Sequence, residues 1–323
     1  MSNAPAPTFS VFRSLAEIPA NFGPSVASIG NFDGVHCGHQ QILSAVVAQA
    51  RSLGAQAVAI TFDPHPEQFL HAPTAPKLLT PIDERIRLLS LTGIDAVVVL
   101  PFDAALAALS AQDFVRSILV RALSIRGLHE GGSFRFGHRA QAGIAELENF
   151  GHQFGFAVRV HPSVRVRGLE VSSSAIRQRI ATGDLTRARW MLGRPFVVLS
   201  TQARGRGIGN RMLVPTVNLA AYSGLLPAFG VYVTHLTIAG RRFQSVTNIG
   251  NRPTFGEPSF AVESHILNFE PVELDDSTPI ELEFLLRLRG EIQWPSPQAL
   301  KAQIQKDVAK AQRYFRLHNR LKT

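Results

Sequence analysis

Gly30-Asn31-Phe32-Asp33-Gly34-Val35-His36-Cys37-Gly38-His39 stands between two unlike patterns. Before it, Ser25 to Ile29 is a short apolar run that reads as a buried strand. After it, Gln40 to Leu53 carries apolar residues at helical spacing and stops at Gly54. A glycine-rich turn from strand to helix leaves free backbone N–H groups at the helix start, where a phosphate is favoured. Gly34 and Gly38 permit close backbone approach. His36 and His39 can donate hydrogen bonds to phosphate oxygens as charge builds during attack at phosphorus. Two histidines at this spacing also suit a metal half-site, but no third ligand stands nearby.

The same alternation continues outward. Ala57 to Thr61 reads as a second strand, followed by a loop broken by Pro64 and Pro66. Glu84 to Leu91 reads as a helix, Ala96 to Leu100 as a strand, Asp113 to Leu123 as a helix and Ala157 to Val160 as a further strand. This order predicts a parallel sheet covered by helices on both faces, with its ligand crevice beyond the C-terminal strand ends. Ser174 to Ile180 and Leu185 to Leu192 read as two short helices. After Gly193-Arg194-Pro195 the texture changes. Phe196 to Leu199, Gly230 to Ile238, Phe243 to Asn248, Phe260 to Phe269 and Ile280 to Leu286 are strand-like and separated by Gly, Pro and Asn turns. They predict an antiparallel sheet or small closed barrel, finished by a helix over Pro297 to Leu317. The boundary is placed near residue 194, giving domains 9–193 and 194–323.

Bulk properties narrow the function classes. At 323 residues, 45% hydrophobic and 18% charged, the chain carries enough apolar material for two cores. The single cysteine, Cys37, makes no internal disulfide and fits a reducing cytoplasm. No basic region followed by an apolar core marks a signal peptide, and no run is apolar for the length of a membrane span. The net charge of +9 attracts anions. Its Lys and Arg residues are scattered, without the basic runs or aromatic interleaving of a nucleic-acid groove, so phosphate-bearing small molecules are the expected partners.

The segment around His36 and His39 resembles the His-x-Gly-His motif of nucleotidyltransferases. In its full form it is similar to the bacterial bifunctional riboflavin kinase/FMN adenylyltransferases, the prokaryotic FAD synthetases. Further segments resemble the same family in order: Thr61-Phe62-Asp63-Pro64-His65-Pro66, Phe134-Arg135-Phe136-Gly137, Val171-Ser172-Ser173-Ser174-Ala175-Ile176-Arg177, Gly183-Asp184 and Leu192-Gly193-Arg194-Pro195. Pro215-Thr216-Val217-Asn218-Leu219, Gly230-Val231-Tyr232, the stretch from Asn248 to Gly256 and Val262-Glu263-Ser264-His265 continue it to the C-terminal half. The resemblance implies a Rossmann-like α/β nucleotidyltransferase domain followed by a mostly antiparallel β-barrel riboflavin-kinase domain with a C-terminal helix.

It also implies roles. Gly30, Asn31, Phe32, Asp33, Gly34 and Gly38 would form the nucleotide loop, with His36 and His39 on the ATP phosphates. Ser173, Ser174 and Arg177 would hold the triphosphate from the other side. Phe62, Asp63, Pro64 and Phe136 would meet the flavin of FMN. In the kinase half, Gly205, Arg206 and Gly209 would cradle phosphate, and Thr216 and Asn218 would ligate Mg²⁺. Glu263 would be the base, and Arg252 and Arg289 would contact flavin. The implied substrates are riboflavin, FMN and ATP, with FAD as product. The chain departs from the family at Ser133, where Asp or Asn is usual, and between Gly205 and Val214, where the phosphate loop is irregular.

That irregular loop motivates a rival: an FMN adenylyltransferase whose C-terminal barrel binds flavin or nucleotide without kinase activity. A nucleotidyltransferase for phosphopantetheine or nicotinamide mononucleotide would leave the C-terminal half without an explanation. An aminoacyl-tRNA synthetase needs a lysine-rich second loop, and Ser172 to Arg177 contains no lysine. A non-enzymatic nucleic-acid protein explains only the charge.

Overall fold

The computed structural model describes residues 9–203, 211–212, 216–254 and 257–320. The chain forms two compact units, Met1–Ser173 and Ser174–Thr323.

In the first unit, β1 (Ser10–Phe12), β2 (Ser25–Ile29), β3 (Gln56–Asp63), β4 (Ala96–Pro101), β5 (Ile125–Gly131) and β6 (Ala157–His161) make one parallel sheet in the order β1-β4-β3-β2-β5-β6. The connecting helices are α1 (Cys37–Leu53), α2 (Pro66–Leu70), α3 (Ile82–Ser90), α4 (Ala104–Ala108), α5 (Ala111–Phe114, continuing as a π-helix over Val115–Ala122) and α6 (Ile144–Phe154). A two-stranded hairpin, β7 (Arg165–Val166) and β8 (Leu169–Glu170), follows. Every residue of β2 is buried, because helices cover both faces. Leu43 and Val46 of α1 and Leu89 of α3 pack on Val26 and Val97. Ile118 of α5 and Leu147 of α6 pack on Ala27, Ile60 and Leu128 on the opposite face.

The start of α1 and the presence of β5 differ from the sequence reading for local reasons. α1 starts at Cys37 rather than Gln40 because the His36 ring caps it, Nδ1 accepting from the His39 N–H at 3.3 Å; Cys37 and Gly38 carry no periodic signal. β5 was not anticipated because Arg126, His129 and Glu130 interrupt its apolar run. The chain lays β3 and β4 on one side of β2, and β5 and β6 on the other. The β2–β5 junction is therefore the switch point, where a crevice opens beyond the strand ends.

The second unit opens with most of α7 (Ser173–Ala181) and with α8 (Leu185–Leu192). Then come β9 (Phe196–Ser200), β10 (Arg211–Met212), β11 (Thr216–Asn218), β12 (Gly230–Ile238), β13 (Arg241–Thr254), β14 (Glu257–Ile266), β15 (Val272–Glu273), β16 (Ile280–Gly290) and the C-terminal helix α9 (Pro297–Arg320). β10 and β15 form a small pair. The six-stranded sheet runs β11-β14-β13-β12-β16-β9, antiparallel throughout. Its two edges meet: Ala203 N–H donates to the Asn218 carbonyl at 2.8 Å and Ala220 N–H to the Thr201 carbonyl at 2.9 Å. That closes the barrel and removes the exposed edges.

Alternation along the strands sorts the side chains. Tyr232, Leu236, Leu282 and Phe284 fill the inside with Thr234, Ser245, Thr247 and Ser264, whose fully buried hydroxyls bond to one another at 2.7–2.9 Å. On the outer face Val231, Val233 and Val246 pack under Ala311 and Phe315 of α9.

Candidate active sites

The loop from Gly30 to Val35 enters the left-handed region at Phe32 (φ 45°), Gly34 (φ 85°) and Val35 (φ 37°). A β-branched residue at positive φ is costly and persists only where its surroundings enforce it. Asp33 supplies that constraint. Its buried carboxylate accepts from the backbone N–H of Leu79 at 3.0 Å, the N–H of Thr80 at 2.9 Å and the Thr80 hydroxyl at 3.1 Å. The Thr80 hydroxyl accepts in turn from Gly34 N–H at 3.0 Å. Gly30 N–H donates to the Ile60 carbonyl at 2.9 Å, the Thr61 hydroxyl to the Asn31 carbonyl at 3.2 Å, and the Ser173 hydroxyl to the Asp33 carbonyl at 2.8 Å.

His36 and His39 meet at the end of this loop. Their rings stack with centroids 3.6 Å apart and planes 15° apart, and Phe32 meets His39 edge-on at 5.1 Å. A Cβ at position 38 would come within 3.2 Å of the His36 ring, so glycine is what admits the ring there. Burial, followed by the neighbouring His36 and the Arg85 guanidinium, pulls His39 well below the usual histidine pKa, so it is neutral at pH 7. Its Nδ1 is buried with no hydrogen-bond partner among the described residues. That cost would be recovered by a bound ligand. Arg85, 1% exposed, donates to the Phe62 carbonyl at 3.2 Å from beneath.

The flavin candidates lie at the C-terminal end of the same sheet. Phe62 is half-buried and meets Phe102 edge-on at 5.7 Å. Phe136 is buried, stacked on Phe134 at 5.4 Å. Asp63, Pro64 and Ser133 are exposed. Ser174 is exposed and Arg177 half-buried, both on α7. The sequence reading missed Thr80, Arg85 and Glu130. Arg85 sits in a predicted helix with no motif around it; Glu130 had a signal, a carboxylate within a run of strand formers.

In the second unit the candidates form a row around the barrel. Asn218 of β11 faces Glu263 of β14; Glu263 faces Asn248 of β13; Asn248 faces Val231 of β12; Val231 faces Arg289 of β16. One step along, Thr216 faces His265, with Oγ1 and Nδ1 3.5 Å apart. A cavity of about 390 Å³ opens over this face, lined by Thr216, Asn248, Glu263, His265 and Arg289, with Ile304 and Asp307 of α9 as its far wall. Arg289 is fixed by Asp307, 2% exposed, through a 2.9 Å Nε–Oδ2 bond, and its guanidinium lies 5.5 Å from the Trp294 ring centroid. Gln303 donates to the other Asp307 oxygen at 2.9 Å. The cavity thus offers a carboxylate, amide and hydroxyl oxygens, a fixed cation and an aromatic wall. Asn248, His265, Trp294 and Asp307 were missed as site residues. Gly205, Arg206 and Gly209 lie outside the described residues, as does the side chain of Arg252.

Residues 18–175 match the family model described as FAD synthetase, and residues 192–315 the one described as riboflavin kinase. The bifunctional riboflavin kinase/FMN adenylyltransferase of Pseudomonas fluorescens is 36% identical over 93% of this chain and 96% of its own. The enzymes of the same description from Haemophilus influenzae and Escherichia coli K12 are each 32% identical, over 89% and 90% of this chain and 93% of their own. Among solved structures, a macrolide-efflux protein from Streptococcus pneumoniae superposes with a TM-score of 0.81 at 25% identity, covering 94% of this chain and 98% of that one. No helix among the described residues is long and apolar enough to cross a membrane. Both enzymatic halves are present, which favours two activities over adenylyl transfer alone, and the chain belongs to the bifunctional riboflavin kinase/FMN adenylyltransferases, which phosphorylate riboflavin to FMN and adenylylate FMN to FAD.

Proposed function

We propose that adenylyl transfer runs at the Gly30–His39 loop and phosphoryl transfer at the Asn218–Arg289 row, with functional domains 9–193 and 194–323. The observation carrying this assignment is the stacked His36–His39 pair at a helix start, with the buried Nδ1 of His39 lacking a partner among the described residues. In adenylyl transfer a phosphate oxygen of FMN attacks the α-phosphorus of ATP and pyrophosphate leaves. Charge gathers on the non-bridging oxygens, where the two histidines at the start of α1 are the donors. Asp33 contributes through loop shape. Ser173, Ser174 and Arg177 are further phosphate contacts on the strength of the resemblance, and Phe62 and Phe136, with Asp63 and Pro64, are the flavin contacts.

In the kinase step Glu263 accepts the proton of the riboflavin hydroxyl as its oxygen attacks the γ-phosphorus and ADP leaves. Arg289 and Arg252 orient the flavin, and Gly205, Arg206 and Gly209 complete the phosphate cradle. The Thr216 hydroxyl and Asn218 amide share one face of β11 beside Glu263, a hard-oxygen donor set that fits Mg²⁺. No group of three or more His, Cys, Asp or Glu suited to a metal occurs among the described residues. Bound Mg²⁺ neutralises phosphate charge, and both steps are proposed to need it. The partners are small molecules rather than nucleic acid or membrane, and the setting is cytoplasmic.

Asn218→Ala tests the placement. The Mg²⁺ concentration for half-maximal riboflavin phosphorylation should rise, while the Mg²⁺ dependence of FMN adenylylation stays as in the parent. Equal shifts in both curves would contradict the assignment.

A further inference from the structure

β5 is a central strand of a parallel sheet, where helices on both faces ordinarily leave room only for apolar side chains. It carries Glu130, 2% exposed, one residue before the strand ends. The register explains why a polar group stands there. β2 stays paired with β3 as far as Ile29 and Ile60, whereas its pairing with β5 stops at Ala27 and Leu128. The strands part at the switch point, and the Ile29 N–H is left facing β5 without a main-chain acceptor. Ile29 is itself 4% exposed, so water does not replace that partner. Glu130 Oε1 does, accepting from Ile29 N–H at 2.6 Å.

Gly30 follows at once, and its N–H is held from the other side by the Ile60 carbonyl at 2.9 Å. The last two amides before the loop are thus fixed from opposite directions, one by β3 and one by a side chain of β5. The strained turn at Phe32, Gly34 and Val35 starts from this root and ends at the stacked histidines. A shift at the root moves both rings.

We infer that Glu130 is a positioning residue for adenylyl transfer, acting by the reach and acceptor of its side-chain oxygen, which holds the root of the loop that carries His36 and His39. Burial pushes its pKa well above the usual carboxylate value, which agrees with an oxygen that serves as an uncharged acceptor. The inference rests on the assignment of adenylyl transfer to that loop.

Glutamine keeps the reach and the acceptor without the acid; aspartate keeps the acid but is one methylene short. The full-length chain is assayed for FMN adenylylation as Glu130→Gln, Glu130→Asp and Glu130→Val, with riboflavin phosphorylation as the control within each sample. Glu130→Gln should keep the parent kcat and KM for FMN. Glu130→Asp and Glu130→Val should lose kcat about tenfold to a hundredfold, as misplaced catalytic groups do, with KM little moved and phosphorylation intact. If Glu130→Val does not fold, the Gln and Asp variants decide. An active Asp variant beside an impaired Gln variant, equal losses in both, or parent rates in all three overturn the inference. His39→Ala alongside separates the two claims. Normal adenylylation by that variant removes the loop assignment; its inactivity beside a fully active Glu130→Asp removes only the role of Glu130.

Discussion

The two units handle phosphate with opposite architectures. The parallel sheet of the first has both faces covered by helices, so its chemistry is confined to strand ends, where loop backbone and a helix start do the work. The closed antiparallel barrel of the second keeps one face outward, and chemistry is spread across it on alternate residues of neighbouring strands. The consequence shows in the sequence. His36 and His39 lie within one short stretch, whereas Asn218, Asn248, Glu263 and Arg289 are brought into a single row only by strand register. Contiguous sites are read from motifs; row-built sites need the register.

Substitutions on each side can break this comparison. The largest effect is expected at Glu263. Glu263→Gln should slow riboflavin phosphorylation by about 10²–10⁴-fold, the usual contribution of a general base, and leave adenylylation of supplied FMN unchanged. Loss of both would mean the row serves more than the kinase step. His39→Ala should lower FAD formation from FMN by about 10²–10³-fold, comparable to removing one transition-state donor, with FMN formation intact. Both are read by chromatography of the flavins.

A smaller effect is expected where stability and site meet. Asp307→Leu leaves the Arg289 guanidinium without its buried partner. It should cost about 3 kcal/mol in denaturant unfolding and weaken the kinase step alone. A variant as stable as the parent would show that Arg289 is not held through α9.

The smallest is a pH effect confined to the first unit. Burial, then His161 and Arg159, lowers His129 to about 4 from the ordinary 6.5. Its ring is engaged by His161 at 2.9 Å and by Gln49 at 2.5 Å. The unfolded chain therefore binds more protons between these two values, so the contribution is complete above 6.5 and is lost as pH falls towards 4. Thermal unfolding should show this loss of stability through that window. His129→Gln, which cannot take up the proton, should flatten the slope; an unchanged slope would place the titration elsewhere.

How much was legible follows from the same contrast. The strand–loop–helix at Ser25–Leu53 was readable because glycines, paired histidines and a change of periodicity coincide. The strands from Phe196 onward were readable as strands and a closed barrel as one of two arrangements, but the segments that close it were not. It depends on Ala203 and Ala220 pairing across the barrel edge, and short polar segments do not announce a partner. Arg85 and Asp33 show a second limit. Each is buried and engaged with backbone far away in sequence, and a charged residue in a helix or loop reads as solvent-facing until the fold is seen. Glu130 shows a third, since its purpose exists only because two strands part at that level.

The most direct test of two separable active sites is complementation between separately purified variants. His39→Ala and Glu263→Gln are each incubated with riboflavin, ATP and Mg²⁺, and then mixed. Neither alone should yield FAD, the first stopping at FMN and the second leaving riboflavin untouched, while the mixture should produce FAD as FMN passes through solution. A mixture that forms no FAD, or a single variant that has lost both steps, would contradict the account.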